Sequence, residues 1–137
     1  MYDTTAWNKV FRTAFWRDAG LQFQAGVTYE DLPVMIAAHV RAQSVDVLKA
    51  PVYWWRRRID SDASITQRRG EIDNLRDRMN AIDEVERLLA EDEFLKRTHD
   101  RKVLTFDIPL YQPYYPQADS EYQQLFLERV GAFVRQQ

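Results

Sequence analysis

Cysteine is absent from this 137-residue chain, and glycine is rare. Without cysteine there is no disulfide, zinc–thiolate site, iron–sulfur cluster or cysteine nucleophile. The four glycines are scattered, so the chain has no glycine-rich loop of the kind that binds phosphate. No run of 18 apolar residues occurs, which predicts that the chain has no transmembrane helix. The N-terminus also lacks the apolar core of a secretory signal.

The composition is that of a folded protein. Hydrophobic residues make up 45% of the chain and charged residues 29%, which is ordinary for a globular protein and wrong for a disordered one. The length suits one domain, so residues 1–137 are predicted to form a single helical domain. The net charge of −2 argues against a dedicated nucleic-acid binder, which usually carries a strong basic excess.

The first fifty residues predict two helices. One runs from Thr4 or Thr5 to Gly20, because its apolar residues recur at intervals of three and four. The second begins at Asp31, which is expected to cap it, and ends at Pro51. The apolar positions are Trp7, Val10, Phe11, Ala14 and Phe15 in the first helix, and Leu32, Met35, Ile36, Val40 and Val47 in the second.

The longest helical pattern runs over residues 64–101 and predicts a long charged arm, either a helical hairpin or a short coiled-coil element. Charge is segregated by sign along this part of the chain. Residues 53–70 carry a net charge of +3, residues 71–93 a net charge of −6, and residues 94–102 a net charge of +3. Blocks of this kind suit pairing with another helix or with a partner.

The C-terminal third combines an extended segment with a helix. The alternation in "VLTFDI", residues 103–108, is typical of a strand. Three prolines in "PLYQPYYP", residues 109–116, predict an extended, polyproline-like path, so residues 103–117 are interpreted as an extended strap. Residues 120–135 predict a helix that starts with a capping box of Ser120 and Gln123. The fold class is therefore mostly α, with about five helices and at most a minor strand.

No pattern in the chain indicates catalysis, a cofactor or a metal site. The two histidines, His39 and His99, are not accompanied by any motif that pairs them with a serine. His99 follows the acidic residues 91–93 by six to eight positions, without the spacing that metal ligands on a helix need. Solvated helical acids explain these carboxylates better, so catalytic, cofactor-binding and metal-binding residues are all predicted to be none.

The most unusual stretch is "PVYWWRRRID", residues 51–60, where three aromatic residues precede three arginines. Its pattern predicts a helix that opens at Pro51. Three large aromatic side chains exceed what one narrow helix face can bury, and Trp, Tyr and Arg are the residues enriched at binding hot spots. A second aromatic cluster lies in the strap. The predicted partner-binding residues are Tyr53, Trp54, Trp55, Arg56, Arg57, Arg58, Tyr111, Tyr114 and Tyr115.

Three interpretations of the arginine cluster stay open beside docking to a protein. Arginines on phosphates with aromatic rings as stacking platforms would suit a nucleic-acid-binding module. Tryptophan and arginine would also suit a membrane-surface helix. The cluster could instead pair with the acidic block at residues 71–93 of the same chain.

Several short pieces together resemble the small matrix-side helical subunit of mitochondrial respiratory complex III. These pieces are "AGLQFQ", "TYED", the amphipathic helix that follows, "WWRRRID" and "PLYQPYY", over about residues 19–60 and 109–115. The arm at residues 64–101 has no counterpart in that family. The resemblance implies a non-catalytic subunit of a respiratory complex, bound at the periphery of the mitochondrial inner membrane.

The sequence therefore predicts a non-catalytic subunit or adaptor that binds other protein subunits. The alternative is a small stand-alone phage or bacterial regulatory protein that binds one host enzyme. A nucleic-acid-binding module and an enzyme rank below both. An obligate subunit is expected to be poorly soluble alone, since obligate interfaces are large and apolar, whereas a regulator is expected to be a well-behaved monomer or dimer.

Overall fold

The computed structural model describes residues 4–54 and 64–136, and these residues are mostly helical, as predicted. The α-helices are α1 (Thr13–Asp18), α2 (Asp31–Arg41), α3 (Ile72–Leu88), α4 (Glu93–Lys102), α5 (Ile108–Tyr111) and α6 (Ser120–Arg135). Two 3-10 helices span Ile65–Gln67 and Gln112–Gln117, and a π-helical turn spans Val103–Asp107. The described residues contain no β-strand.

The main core lies where α2, α3 and α6 meet the helical segment of residues 93–117. Helix α3 packs against both α2 and α6. The apolar residues in the middle of α3 are buried and lie at the centre of this core, whereas Ile72 and Leu88 at its ends are partly buried. The buried residues of α3 are Asn74, Leu75, Met79, Ala81, Ile82 and Val85. A second cluster packs the other side of α2 against the N-terminal segment.

The N-terminal helices are shorter than the sequence predicts. Helix α1 begins at Thr13, so Trp7 and Val10 lie outside it, and Val10 is almost completely exposed. Gly20 ends α1 in the left-handed region, with φ of 61°, as predicted. Helix α2 ends at Arg41, so Val47, which was expected to be buried, is exposed.

The predicted long arm is broken into three pieces. A 3-10 turn comes first, then α3, and the helix stops at Leu88 before α4 begins at Glu93. Asp92 caps α4 by accepting a hydrogen bond from the Leu95 backbone N–H at 2.9 Å. A side-chain cap of this kind stabilises the start of a new helix. The apolar periodicity of the sequence therefore runs across two separate helices.

The predicted strand and extended strap are wrong, because residues 93–117 form one almost continuous helical segment. Pro109 has no N–H to donate to the carbonyl of Thr105, and its ring crowds that carbonyl. The π-helical turn at Val103–Asp107 ends two residues before this proline and widens the hydrogen-bond ladder there. Val103 and Asp107 are buried while Thr105 between them is exposed, which fits helical spacing of four residues and not strand alternation.

The three prolines are tolerated because they share one exposed side of the helical segment. Pro109, Pro113 and Pro116 lie four and three residues apart, and all are exposed. The carbonyls that lose a partner can therefore be hydrated. Residues 112–117 also tighten into a 3-10 helix, and Pro113 lies in its first turn, where no N–H is needed.

Helix α6 has the predicted bounds but a different cap. The cap is Asp119, whose carboxylate accepts the Tyr122 backbone N–H at 2.8 Å, and not Ser120. Tyr122, Phe126 and Phe133 are buried on its inner face. Among the described helices, none combines the length and the apolar character that crossing a bilayer requires.

Candidate functional site

The structure separates the predicted partner-binding residues into three groups. Trp55, Arg56, Arg57 and Arg58 lie outside the described residues. Tyr53 and Trp54 lie on the surface, at the end of a non-helical segment. Tyr111, Tyr114 and Tyr115 pack against the main core.

The tyrosines of residues 109–116 contact other residues of the same chain. The Tyr111 side chain is almost completely buried, and its hydroxyl donates to Asn74 Oδ1 at 2.8 Å and lies 3.0 Å from the Tyr29 hydroxyl. Burial and the hydrogen bond with Tyr29 raise the pKa of Tyr111. The Tyr115 ring packs 5.3 Å from the Phe126 ring, centroid to centroid. Tyr111 therefore has no surface to offer a partner in this fold.

We expect Tyr111→Phe to lower the free energy of unfolding by about 1–1.5 kcal/mol, because the variant loses a buried hydrogen bond and leaves Asn74 Oδ1 with fewer donors. Urea unfolding followed by circular dichroism measures this change. Tyr53→Phe is the matched control, because the Tyr53 side chain is about half exposed. Equal stability of the two variants would contradict the role of the Tyr29–Asn74–Tyr111 network.

The most exposed apolar part of the described chain is residues 45–54, which we name the docking segment. It follows α2, has no helical or strand structure, and every one of its residues is exposed. Trp54 is 78% exposed, and the segment's aliphatic side chains are exposed to a similar degree. These aliphatic residues are Val45, Val47, Leu48 and Val52.

The docking segment continues into an aromatic surface formed by the N-terminal residues. The Tyr53 and Trp7 rings lie 4.4 Å apart, centroid to centroid. Trp7 then lines an open cavity of about 490 Å³ together with Phe11, Trp16 and Phe23. An exposed apolar stretch therefore runs from Trp54 to the aromatic cluster beside α1.

Two adjacent carboxylates, those of Glu30 and Asp31, stand at the edge of the aromatic cavity. Burial and the neighbouring charge of Glu30 raise the pKa of Asp31. Aromatic walls beside carboxylates favour a cationic group, which gains both ion pairing and cation–π attraction. The described surface thus offers an apolar segment and a slot that suits a basic side chain.

A second site is an apolar cavity of about 190 Å³ between α2 and α4. Both histidines line this cavity, although they are 60 residues apart and no sequence motif connects them. His99 is buried, and its burial, together with the nearby Lys102 ammonium, lowers its pKa to about 4. Its Nε2 atom has no hydrogen-bond partner among the described residues.

A buried ion cluster lies beside this cavity, at the π-helical turn. The Asp107 carboxylate has no exposed surface and binds both the Arg78 guanidinium and the Lys102 ammonium. The Lys102 Nζ atom lies 2.9 Å from Asp107 Oδ2, and the Arg78 guanidinium covers the Tyr29 ring at 4.8 Å from its centroid. No alternation or helical periodicity marks Asp107 as a core residue, so sequence reasoning missed it.

The acidic block at residues 71–93 has partners within the described chain. Asp77 accepts hydrogen bonds from the backbone N–H and hydroxyl of Thr28, and Asp83 pairs with Arg129 at 2.6 Å. Whether the arginines at 56–58 also pair with this block lies outside the described residues. In residues 4–54 and 64–136, no group of three or more histidines and carboxylates is placed to hold a metal ion.

Neither a family model, nor a curated protein, nor a solved structure matches this chain.

Proposed function

We propose that this chain is a non-catalytic subunit or adaptor that binds another protein through the docking segment. The exposure of Trp54 within ten consecutive exposed residues carries the proposal. Soluble monomers rarely leave large contiguous apolar patches in water, and such patches mark interaction sites. A bound partner would remove these side chains from water.

The partner is expected to combine an apolar pocket with carboxylates. Trp54 supplies the large, rigid side chain that hot spots use, and it would enter the pocket. Arg56, Arg57 and Arg58 lie two to four positions after Trp54 in the sequence, and arginine pairs with carboxylates in a planar, bidentate manner. Charge complementarity of this kind sets the orientation of the partner as well as the rate of association.

The assembly could be of two kinds, and the sequence motifs favour the first. Resemblance to the complex III subunit supports an accessory subunit of a mitochondrial respiratory complex. The alternative is a stand-alone regulatory protein that binds one host enzyme. Sedimentation of the purified chain separates them, because a subunit with an uncovered obligate interface is expected to aggregate, whereas a regulator stays monomeric or dimeric.

We expect Trp54→Ala to weaken partner binding about 30-fold, or about 2 kcal/mol, without altering the stability of the free chain. Stability is unaffected because the side chain is largely exposed. The partner would first be identified by co-purification with a tagged chain from its native host, and its affinity for purified variants would then be measured by calorimetry. The control is Leu127→Ala, an exposed apolar position on α6.

Salt dependence tests the proposal against nucleic-acid binding. Phosphate contacts lose affinity by roughly one power of salt concentration for each contact, whereas a tryptophan-centred interface responds far less. The direct test is binding of generic single- and double-stranded oligonucleotides at low salt. Micromolar binding that is lost when Arg56, Arg57 and Arg58 are changed to glutamine would overturn the docking proposal.

A further inference from the structure

The cavity between α2 and α4 has the size of a small ligand's apolar part. Its volume of about 190 Å³ is comparable with the ~150 Å³ apolar cavity that holds one benzene molecule. Leu32 and Ile36 of α2 face Leu95 of α4 across it, and Leu89 lies at the break between α3 and α4. A single ring or a short branched chain therefore matches this space.

One side of the same cavity is polar and contains an unsatisfied group. His99 is 6% exposed and lines the cavity, and its Nε2 atom has no hydrogen-bond partner among the described residues. Buried polar atoms nearly always have a partner, which is often a water molecule or a ligand when the protein supplies none. The His99 Nε2 atom is therefore expected to find its hydrogen-bond partner in a water molecule or a ligand.

Charge on this polar side is positive. Among the described residues, the two charged side chains that line the cavity, Arg101 and Lys102, are both cationic, and no carboxylate lines it. Lys102 lines the cavity, and its ammonium binds the two Asp107 oxygens, at 2.9 and 3.3 Å, and lies 5.7 Å from the centroid of the Phe106 ring. The exposed Arg101 also lines the cavity, and its guanidinium forms no ion pair with any described residue.

We propose that this cavity binds a small apolar carboxylate, with its ring or short chain between α2 and α4 and its carboxylate between Arg101 and Lys102. The apolar walls remove the ring from water, and the two cationic side chains that line the cavity attract the anionic end. The ligand would occupy a site separate from the docking segment, so this inference does not depend on the proposed function.

The test uses the full-length chain and benzoate, with binding followed by calorimetry and by the methyl NMR signals of Ile36, Leu89 and Leu95. We expect benzoate to bind with a millimolar or lower dissociation constant and to shift these methyl signals. Benzyl alcohol keeps the ring without the charge, and acetate keeps the charge without the ring. Both are expected to bind at least tenfold more weakly than benzoate.

The matched variants are Arg101→Gln and Arg97→Gln, which change exposed arginines one turn apart on α4. Arg97 instead pairs with Glu93 and does not line the cavity. We expect Arg101→Gln to weaken benzoate binding about tenfold and Arg97→Gln to leave it unchanged. The proposal would be overturned if benzoate and benzyl alcohol bound with equal affinity, or if the two substitutions had equal effects. It would also be overturned if the methyl signals did not shift at about 10 mM benzoate.

Discussion

Asp107→Asn is expected to lower the free energy of unfolding by about 3–5 kcal/mol, one of the largest effects of any single substitution in this chain. The substitution removes the carboxylate that forms ion pairs with two cations, Arg78 and Lys102, which are themselves largely buried. A charge left buried without its partner costs several kcal/mol, far more than the intact pair contributes. Urea unfolding at neutral pH, monitored by circular dichroism, measures the change.

Asp73→Asn provides the matched control. Asp73 also pairs with an arginine, Arg76, but its side chain is 82% exposed, and exposed ion pairs contribute at most about 1 kcal/mol. The difference between the two variants isolates burial from loss of an ion pair. If Asp107→Asn were no more destabilising than Asp73→Asn, the ion cluster at the π-helical turn would not be a structural centre of the fold.

The Asp107 cluster also shows where sequence patterns stop being informative. Helix α6 was predictable with its bounds because its apolar face recurs without interruption and tertiary packing agrees with it. At residues 103–117 both patterns were misleading, since alternation indicated a strand and three prolines indicated an extended path, whereas the segment is helical. The backbone stays helical because the prolines share one solvent-facing side and Tyr111 gains a buried hydrogen-bond network.

Some features of the candidate sites were likewise predictable from the sequence, and others were not. The aromatic residues at 53–55 predicted that at least one of them lies on the surface or meets a second element, and Trp54 is exposed, although residues 51–54 do not form the helix from which this was argued. The cavity shared by His39 and His99 was not predictable, because it depends on α2 lying against α4, and no local pattern specifies which helices become neighbours. The predicted helix ends were wrong for a related reason. Val10 and Val47 continue the apolar spacing of the sequence, but both side chains are exposed.

The lowered pKa of His99 predicts that the folded chain loses stability in mild acid. Burial and the Lys102 ammonium hold its pKa at about 4, below the value of 6.5 for an unperturbed histidine, while Asp107 and Asp100 oppose this shift and Arg78 adds to it. Between pH 6.5 and 4 the unfolded chain therefore binds the proton more readily than the folded chain. Stability falls as the pH falls through this window, and the linkage relation gives about 2–3 kcal/mol between pH 8 and pH 4.5.

The comparison that isolates this effect is the wild-type chain against His99→Gln, each unfolded in urea at pH 8 and at pH 4.5. Carboxylates titrate in the same acid range, but they are common to both proteins, so the difference in pH dependence belongs to His99. We expect the glutamine variant to lose about 2–3 kcal/mol less stability on acidification than the wild type does. Because a glutamine cannot become charged, its stability at pH 4.5 should approach or exceed that of the wild type, whereas parallel pH profiles would show that His99 is not held neutral by its burial.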